Sequence, residues 1–271
     1  MDSRDWGTFL LPYEQAVEEL KVKFKTMRSE LKKLEEYSPI EFVTGRIKKI
    51  SSILDKAKRL QVPMNELETG IEDIAGIRIM CQFVEDIRRV AEYIRMRKDL
   101  KVVYEKDYIT NYKDSGYRSF HMIIEYPVQT ALGQKYVLAE IQIRTLAMNF
   151  WATIEHSLNY KYKESLPDEM RKRLKKAAEA AFVLDNEMSS IRQEILLAQK
   201  SFEDDSNIVS QLLMSIHQLY FYHLVSEAIA AQEKFNRLWE GHDMEGMKEQ
   251  LAEVKALIKS KKKVEEPGDE L

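Results

Sequence analysis

The change of period between Val137 and Leu158 constrains this chain more than any other feature. Leu138, Glu140, Gln142 and Arg144 alternate with Val137, Ala139, Ile141 and Ile143, the two-residue period of a strand with one buried face. Its polar side carries a carboxylate, an amide and a guanidinium in a row. Ala147, Phe150, Trp151, Ile154 and Leu158 then recur at helical spacing and leave Asn149, Glu155 and His156 on other faces. A strand with a polar row therefore feeds a helix. On alternation alone this is an ordinary solvated strand face followed by a core helix, so the surrounding segments decide whether the row has chemistry to do.

At 271 residues the chain is long enough to bury a sizeable core, as one domain or one domain with an appendage. With 42 Lys and Arg against 45 Asp and Glu, the net charge of -3 exerts no global pull toward nucleic acid or a membrane, so any anion site is a local cluster. The single cysteine, Cys81, excludes an internal disulfide framework and a Cys-rich zinc site, and fits a reducing compartment. No apolar signal core opens the chain and no long apolar run follows, so the expectation is a soluble cytoplasmic protein with no membrane segment.

In chain order, residues 12–36 carry a helical stripe of Ala16, Val17, Leu20, Phe24, Met27, Leu31 and Leu34, with Pro12 suited to the first turn. The next segment, GRIKKISSILDKAKRL, predicts a helix beginning near Arg46. Lys48, Ser52, Lys56 and Arg59 then fall within about 80° of arc, with Ile50, Ile53, Leu54, Ala57 and Leu60 opposite. Basic helix faces are commonly just solvated, but only Asp55 interrupts this one, and Gly45 and the helix N-terminus would add to a polyphosphate site. In IEDIAGIRIMC, Asp73 stands at the lip of a strand in which Ile77, Ile79 and Cys81 face one way. Alone it reads as a loop aspartate; paired with Glu140 it is half of a Mg²⁺ site. In NYKDSGYRSFHMIIEY a glycine turn places Tyr117 where its ring can stack on a base, and His121 follows on the polar side of a strand. A lone strand histidine is commonly structural, but Lys113, Tyr117 and His121 together make a stronger set. Residues 127–134 predict the turn joining the 118–126 and 135–144 strands as an antiparallel hairpin.

Four segments in order, GRIKKISSILDKAKR, DIAGIRI, SGYRSFH and EIQIRTLAMNFWATIEHSLNYK, resemble the motifs of the RelA/SpoT family, and over residues 1–204 the chain resembles its single-domain members, the small alarmone synthetases. The resemblance implies an α/β (α+β), nucleotidyltransferase-like fold, a mixed sheet of about five strands flanked by helices with helical N- and C-terminal extensions. It implies transfer of the β,γ-pyrophosphate of ATP to the 3′-hydroxyl of GTP or GDP, releasing AMP, with Mg²⁺ as cofactor. Arg46 and Arg78 would sandwich the adenine, and Lys48, Ser52, Lys56 and Arg59 would hold the ATP phosphates. Asp73 and Glu140 would bind Mg²⁺, with Glu140 also taking the 3′-hydroxyl proton. Tyr117 would stack on guanine, with Lys113, His121 and Gln142 positioning the acceptor nucleotide. Some members are homotetramers that bind pppGpp as an allosteric ligand, and Lys21, Lys25, Glu41, Phe42, Thr44 and Asn149 match such a site. Single-stranded RNA is a further candidate partner. With so few residues before GRIKK, neither the hydrolysis nor the ribosome sensing of long relatives is expected.

The expected organisation is a synthetase domain over 1–204, with an N-terminal helix at 12–36, a catalytic core at 40–163 and a C-terminal helix at 167–203. Asp204, Asp205 and Ser206 break that helix, and 205–271 forms a helical hairpin with a frayed tail, its corner at Gly241–Asp243 capped by His242-Asp243. Two other classes compete: a nucleotide- or RNA-binding regulator without catalysis, and a helical interaction scaffold. The first has no need of two carboxylates beside bound phosphates, where without a metal they repel. The second explains the two ends but not the middle.

Overall fold

The computed structural model describes residues 5–131, 133–161 and 167–265, so the expected frayed end beyond 265 lies outside the described residues. The elements are α1 (Trp6–Lys33), β1 (Phe42–Ile47), α2 (Ile50–Leu60), α3 (Leu67–Gly70), β2 (Ala75–Cys81), α4 (Val84–Arg95), β3 (Lys101–Asp107), β4 (Phe120–Thr130), β5 (Gly133–Thr145), α5 (Leu146–Lys161), α6 (Asp168–Phe221), α7 (Val225–Glu240) and α8 (Met244–Glu265). They form two compact units, Met1–Ser190 and Ile191–Leu271, and the division falls within α6.

In the first unit the strand order is β1-β2-β5-β4-β3, with β2 and β5 parallel and the other pairs antiparallel, a mixed five-stranded sheet. Ile77 and Ile79 of β2, Ile141 and Ile143 of β5, and Met122 and Ile124 of β4 are buried in one core with α1 and α4. At about 1.5–3 kcal/mol per fully buried aliphatic side chain, this face holds the layers together. Each strand therefore turns its alternate residues away from that core, and those are the polar rows.

Local departures from the periodicity have identifiable causes. Helix α1 begins already at Trp6, because Asp5 caps it by accepting from Gly7 N at 3.0 Å and Thr8 Oγ1 at 2.5 Å. Pro12 consequently lies inside the helix, not in its first turn, where the lost hydrogen bond is offset by burial of Tyr13, Ala16, Val17, Leu20 and Phe24. The helix expected from Arg46 starts only at Ile50, and Gly45 and Arg46 belong to the edge strand β1. A short strand with glycine at its central inward position shows little alternation. Gly45 serves packing and not ligand approach: a Cβ there would lie 2.6 Å from Val17 Cγ1 and 2.7 Å from Lys21 Cδ, so the missing side chain lets α1 close onto β1. Pro127 is not in the turn but pairs with Tyr136 inside the β4–β5 ladder. Pairing of β3 with β4 ends at Glu125, so Pro127 occupies an edge, where a missing N–H is tolerated.

Asp204, Asp205 and Ser206 do not break α6, which continues to Phe221. Aspartate and serine cost a helix at most about 0.7 kcal/mol each, and neither glycine nor proline interrupts the run. Within Ile191–Leu271 the last part of α6, α7 and α8 close around Leu212, Ile216, Leu219, Phe235, Met247 and Val254. This unit is thus three helical segments and not a two-helix hairpin. The α7–α8 corner has His242 in the left-handed region, and Asp243 caps α8 by accepting from Gly246 N at 2.9 Å. Among the described residues no helix is long and apolar enough to cross a membrane.

Candidate active site

The strand registers assemble polar groups from distant segments on the face opposite the core. Arg46 of β1 stands beside Gly76 of β2, which pairs with Glu140 of β5. One step along, Arg78, Gln142, His121 and Lys106 form the next row across β2, β5, β4 and β3. Over these rows lies a cavity of about 540 Å³ bounded by Arg46, Arg59, Asp73, Arg78, Lys113, Ser115, Tyr117, His121, Glu140, Gln142 and Arg144, with Ala152, Thr153, Glu155 and His156 of α5. A second cavity of about 360 Å³ is lined by Lys48, Ser52, Asp55, Lys56, Arg59 and Asp73, so Arg59 and Asp73 belong to both. All twelve residues expected in the nucleotide and metal sites line one or both of these cavities.

Asp73 is the hub of the basic side. Its two oxygens accept from Lys48 Nζ and Lys56 Nζ, each at 2.8 Å. Burial alone would raise its carboxyl, but the hydrogen bonds and charges of the two lysines outweigh burial and hold it below its ordinary value. Three guanidiniums crowd the other side. Arg78 is pushed down to about 10 by burial, then by the charges of Arg46 and Arg144, and its Nε is buried without a hydrogen-bond partner. An unanswered donor among like charges is a place for an anionic or acceptor-rich ligand.

Glu140 sits in a relay that the alternation could not reveal. Its carboxylate is bonded to His121 Nδ1 at 2.8 Å and accepts from Gln142 Nε2 at 2.7 Å. Because an ionised carboxylate only accepts, Nδ1 carries a proton, and in the neutral imidazole Nε2 is then the acceptor for the Tyr117 hydroxyl at 2.8 Å. That hydroxyl accepts in turn from Arg144 Nη2. Burial would raise Glu140, but His121 and Gln142 together hold it below its ordinary value, while the nearby Asp73 charge works the other way. The two carboxylates thus feel each other within one cavity. Each oxygen has one donor and spare acceptor capacity, which fits the one or two carboxylates that Mg²⁺ takes. Among the described residues no group of three or more His, Cys, Asp or Glu is arranged to hold a metal.

Tyr117 is held more tightly than a ring standing free at a turn. Lys113 Nζ and Arg144 Cζ lie 5.1 and 5.0 Å from its ring centroid, and the loop is closed by Gly116 N donating to Lys113 O at 2.7 Å. Gly116 has φ +89°, and a Cβ there would stand 2.5 Å from the Cβ of Ala178 on α6. The neighbouring Arg118 is structural, its guanidinium 4.3 Å from the Tyr112 ring and 4.2 Å from the Phe182 ring.

On α5 the buried side is Met148, Trp151 and Ala152, so of the expected stripe only Trp151 is buried: Phe150 is 70% exposed, Ile154 is exposed, and Ala147 and Leu158 are half-buried. Thr153, Glu155 and His156 line the cavity and were not singled out as ligands, nor were Ser115 and Arg144. The signal for Arg144 lies in its alternation with Glu140 and Gln142, and helical spacing sets Glu155 and His156 off the apolar stripe; nothing in the sequence marks Ser115 or Thr153. Lys21, Lys25, Glu41, Phe42, Thr44 and Asn149 line neither cavity. Lys21 pairs with Glu18 at 2.7 Å, Lys25, Phe42 and Thr44 are exposed, Glu41 accepts from Gln82 at 2.9 Å, and the Asn149 carbonyl accepts from Thr153 at 2.8 Å.

Residues 45–165 match the family profile described as the region found in RelA / SpoT proteins. The chain is 58% identical over 202 residues to GTP pyrophosphokinase YjbM of Bacillus subtilis (strain 168), covering 74% of this chain and 95% of that protein. It superposes on the crystal structure of small alarmone synthetase 1 from Bacillus subtilis bound to its product pppGpp with a TM-score of 0.69 and 58% identity, over 71% of this chain and 99% of that one. The same synthetase bound to AMPCPP gives a TM-score of 0.64 at 55% identity, over 72% of this chain and 99% of that one.

Proposed function

Given that the chain belongs to the small alarmone synthetases of the RelA/SpoT family and is a GTP pyrophosphokinase that makes (p)ppGpp, we propose that its substrates meet over the Glu140 row of the sheet, ATP on the basic side and GTP or GDP on the Tyr117 side. The observation that carries this reading is the single cavity in which Asp73 and Glu140 lie between cationic groups and an aromatic loop. Arg46 and Arg78 sandwich the adenine, and Lys48, Ser52, Lys56 and Arg59 hold the phosphates. Tyr117 stacks on guanine, with Lys113, His121 and Gln142 orienting the acceptor ribose. Glu140, kept ionised by His121 and Gln142, takes the proton of the 3′-hydroxyl. Asp73 and Glu140 are the residues that would hold Mg²⁺, which when bound would supply charge neutralisation at the phosphates. The remaining contribution is positioning, since phosphoryl transfer demands an in-line approach more than covalent help. Incubation of the protein with labelled ATP, GTP or GDP and Mg²⁺ is expected to yield AMP and the 3′-pyrophosphorylated nucleotide in equal amounts. Formation of ADP in place of AMP would overturn the reading.

The same reading extends to regulation and assembly. Lys21, Lys25, Glu41, Phe42, Thr44 and Asn149 are our candidates for a pppGpp site in a homotetramer, supported by the exposure of Lys25, Phe42 and Thr44 outside the two cavities. Chemistry on nucleotides and one buried, unpaired cysteine support a cytoplasmic setting.

We keep 1–204 as the synthetase and 205–271 as an appendage that catalysis does not require. Every proposed ligand precedes Lys163, and a quarter of the chain lies outside the match to YjbM. Truncation after Asp204 is expected to leave kcat unchanged at saturating nucleotides while altering the mass in light scattering or lowering the melting temperature. A folded truncation of unaltered mass that makes no product would show that the tail completes the site.

A further inference from the structure

Asp185 is a buried carboxyl that the chemistry above does not use. It lies on α6 and is 5% exposed, and its Oδ2 accepts from the Thr145 hydroxyl at 2.6 Å. Thr145 is itself fully buried at the last position of β5, in register with Cys81 at the end of β2. The same hydroxyl oxygen accepts from Met148 N at 3.0 Å and so caps the first turn of α5. A threonine hydroxyl has one proton, and here it is committed to Asp185.

The place of this contact gives it meaning. Thr145 is the corner between the two walls of the cavity, the strand that carries Glu140, Gln142 and Arg144 and the helix that carries Thr153, Glu155 and His156. Its hydroxyl can turn about one bond, and the direction it takes decides whether its lone pair meets the Met148 N–H. Asp185 removes that freedom. A buried carboxyl is a costly device for the purpose: burial raises it to about 6, against the lowering effect of the Thr145 hydrogen bond. A leucine would fill such a place with no charge to desolvate. The stability of the fold alone therefore does not account for an aspartate there.

We propose that Asp185 is a positioning residue for pyrophosphate transfer: through the Thr145 hydroxyl it fixes the angle at which α5 leaves β5, and with it the separation of the two walls of the active site. The inference rests on the reading that catalysis takes place between these walls. It adds that the corner is held from behind, by a helix that itself does not touch the reacting atoms.

The test separates the hydrogen bond from the packing. Asp185→Leu removes the acceptor and the buried charge together, so its melting temperature is expected to equal or exceed that of the unaltered protein while kcat falls about tenfold to a hundredfold, the scale of a misplacement of about 1 Å. KM for both nucleotides is expected to change little, because the groups proposed to bind them are intact. Asp185→Asn keeps an acceptor oxygen for Thr145 and is expected to restore kcat. Should Asp185→Leu not fold, Thr145→Val against Thr145→Ser asks the same question from the other partner, with loss expected only for valine. Glu140→Ala is the control. A folded Asp185→Leu with unaltered kcat, an asparagine variant as slow as the leucine one, or a fully active Thr145→Val would overturn the proposal while an inactive Glu140→Ala left the site assignment standing. If Glu140→Ala were also fully active, the site assignment itself would fall.

Discussion

Glu140→Ala is expected to abolish (p)ppGpp synthesis while leaving the fold intact, and Asp73→Ala to do the same for a different reason. Loss of a positioned general base costs about 10²–10⁴ in rate, and in Glu140→Ala a proposed metal ligand goes with it. The alanine also leaves His121 Nδ1 without its acceptor at 2.8 Å, so the hydroxyl relay through Tyr117 loses its anchor. In Asp73→Ala the ammoniums of Lys48 and Lys56, both now paired to that carboxylate, face each other without a counter-charge. Nucleotide phosphates can supply it, so the expected signature is a collapsed kcat with ATP still bound, checked by single-turnover synthesis beside an equilibrium titration with ATP. Both carboxyls are held below their ordinary values in the folded state. Their contribution to stability is accordingly present above the ordinary carboxylate range and lost as pH falls through the lowered values, so a melting comparison belongs near neutral pH. Near-wild-type turnover in either variant would remove that residue from the metal assignment.

Tyr117→Ala is expected to raise the KM for the guanine nucleotide about fivefold to 150-fold, and that for ATP far less. Stacking of a base on an aromatic ring is worth roughly 1–3 kcal/mol, at about 1.4 kcal/mol per factor of ten. The structure refines this expectation, because the Tyr117 ring and hydroxyl have separable duties. The ring lies between Lys113, Arg144, Tyr108 and His121, whereas the hydroxyl joins His121 to Arg144. Tyr117→Phe should therefore keep the guanine KM and lower kcat, since His121 loses the hydroxyl partner that fixes its ring. Initial rates with each nucleotide varied at saturation of the other measure both effects. Equal losses for the two nucleotides in Tyr117→Ala would place the ring elsewhere than on guanine.

Much of this site was legible because its residues sit on regular elements. Period two in β4 and β5 put His121, Glu140, Gln142 and Arg144 on one face, and the register shows that face to be continuous across the sheet. Helical spacing grouped Ser52, Lys56 and Arg59 correctly even though the helix starts later than expected. What periodicity reports is which way a side chain points relative to its own backbone. It carries no information about the partner across the gap.

The sequence by itself determined the strand and helix periods, the basic face, the polar row of Glu140, Gln142 and Arg144 and the aromatic loop, because each is a property of residues a few positions apart on one element; the mixed sheet and the pairing of Asp73 with Glu140 came from the family resemblance, since they join distant segments. Tertiary structure alone decided the rest. That Asp73 holds both Lys48 and Lys56, that Gly45 makes room for α1 and Gly116 for α6, and that Thr145 donates its hydroxyl hydrogen bond to Asp185 all depend on segments well separated in the chain coming within contact distance. The reach of α6 past Asp204 was decided in the same way: weak local preferences against helix at three positions yield to the burial of Leu212, Ile216 and Leu219 beyond them. Local propensity is worth tenths of a kcal/mol per residue and long-range burial a few kcal/mol per side chain, so where the two disagree the distant contact wins.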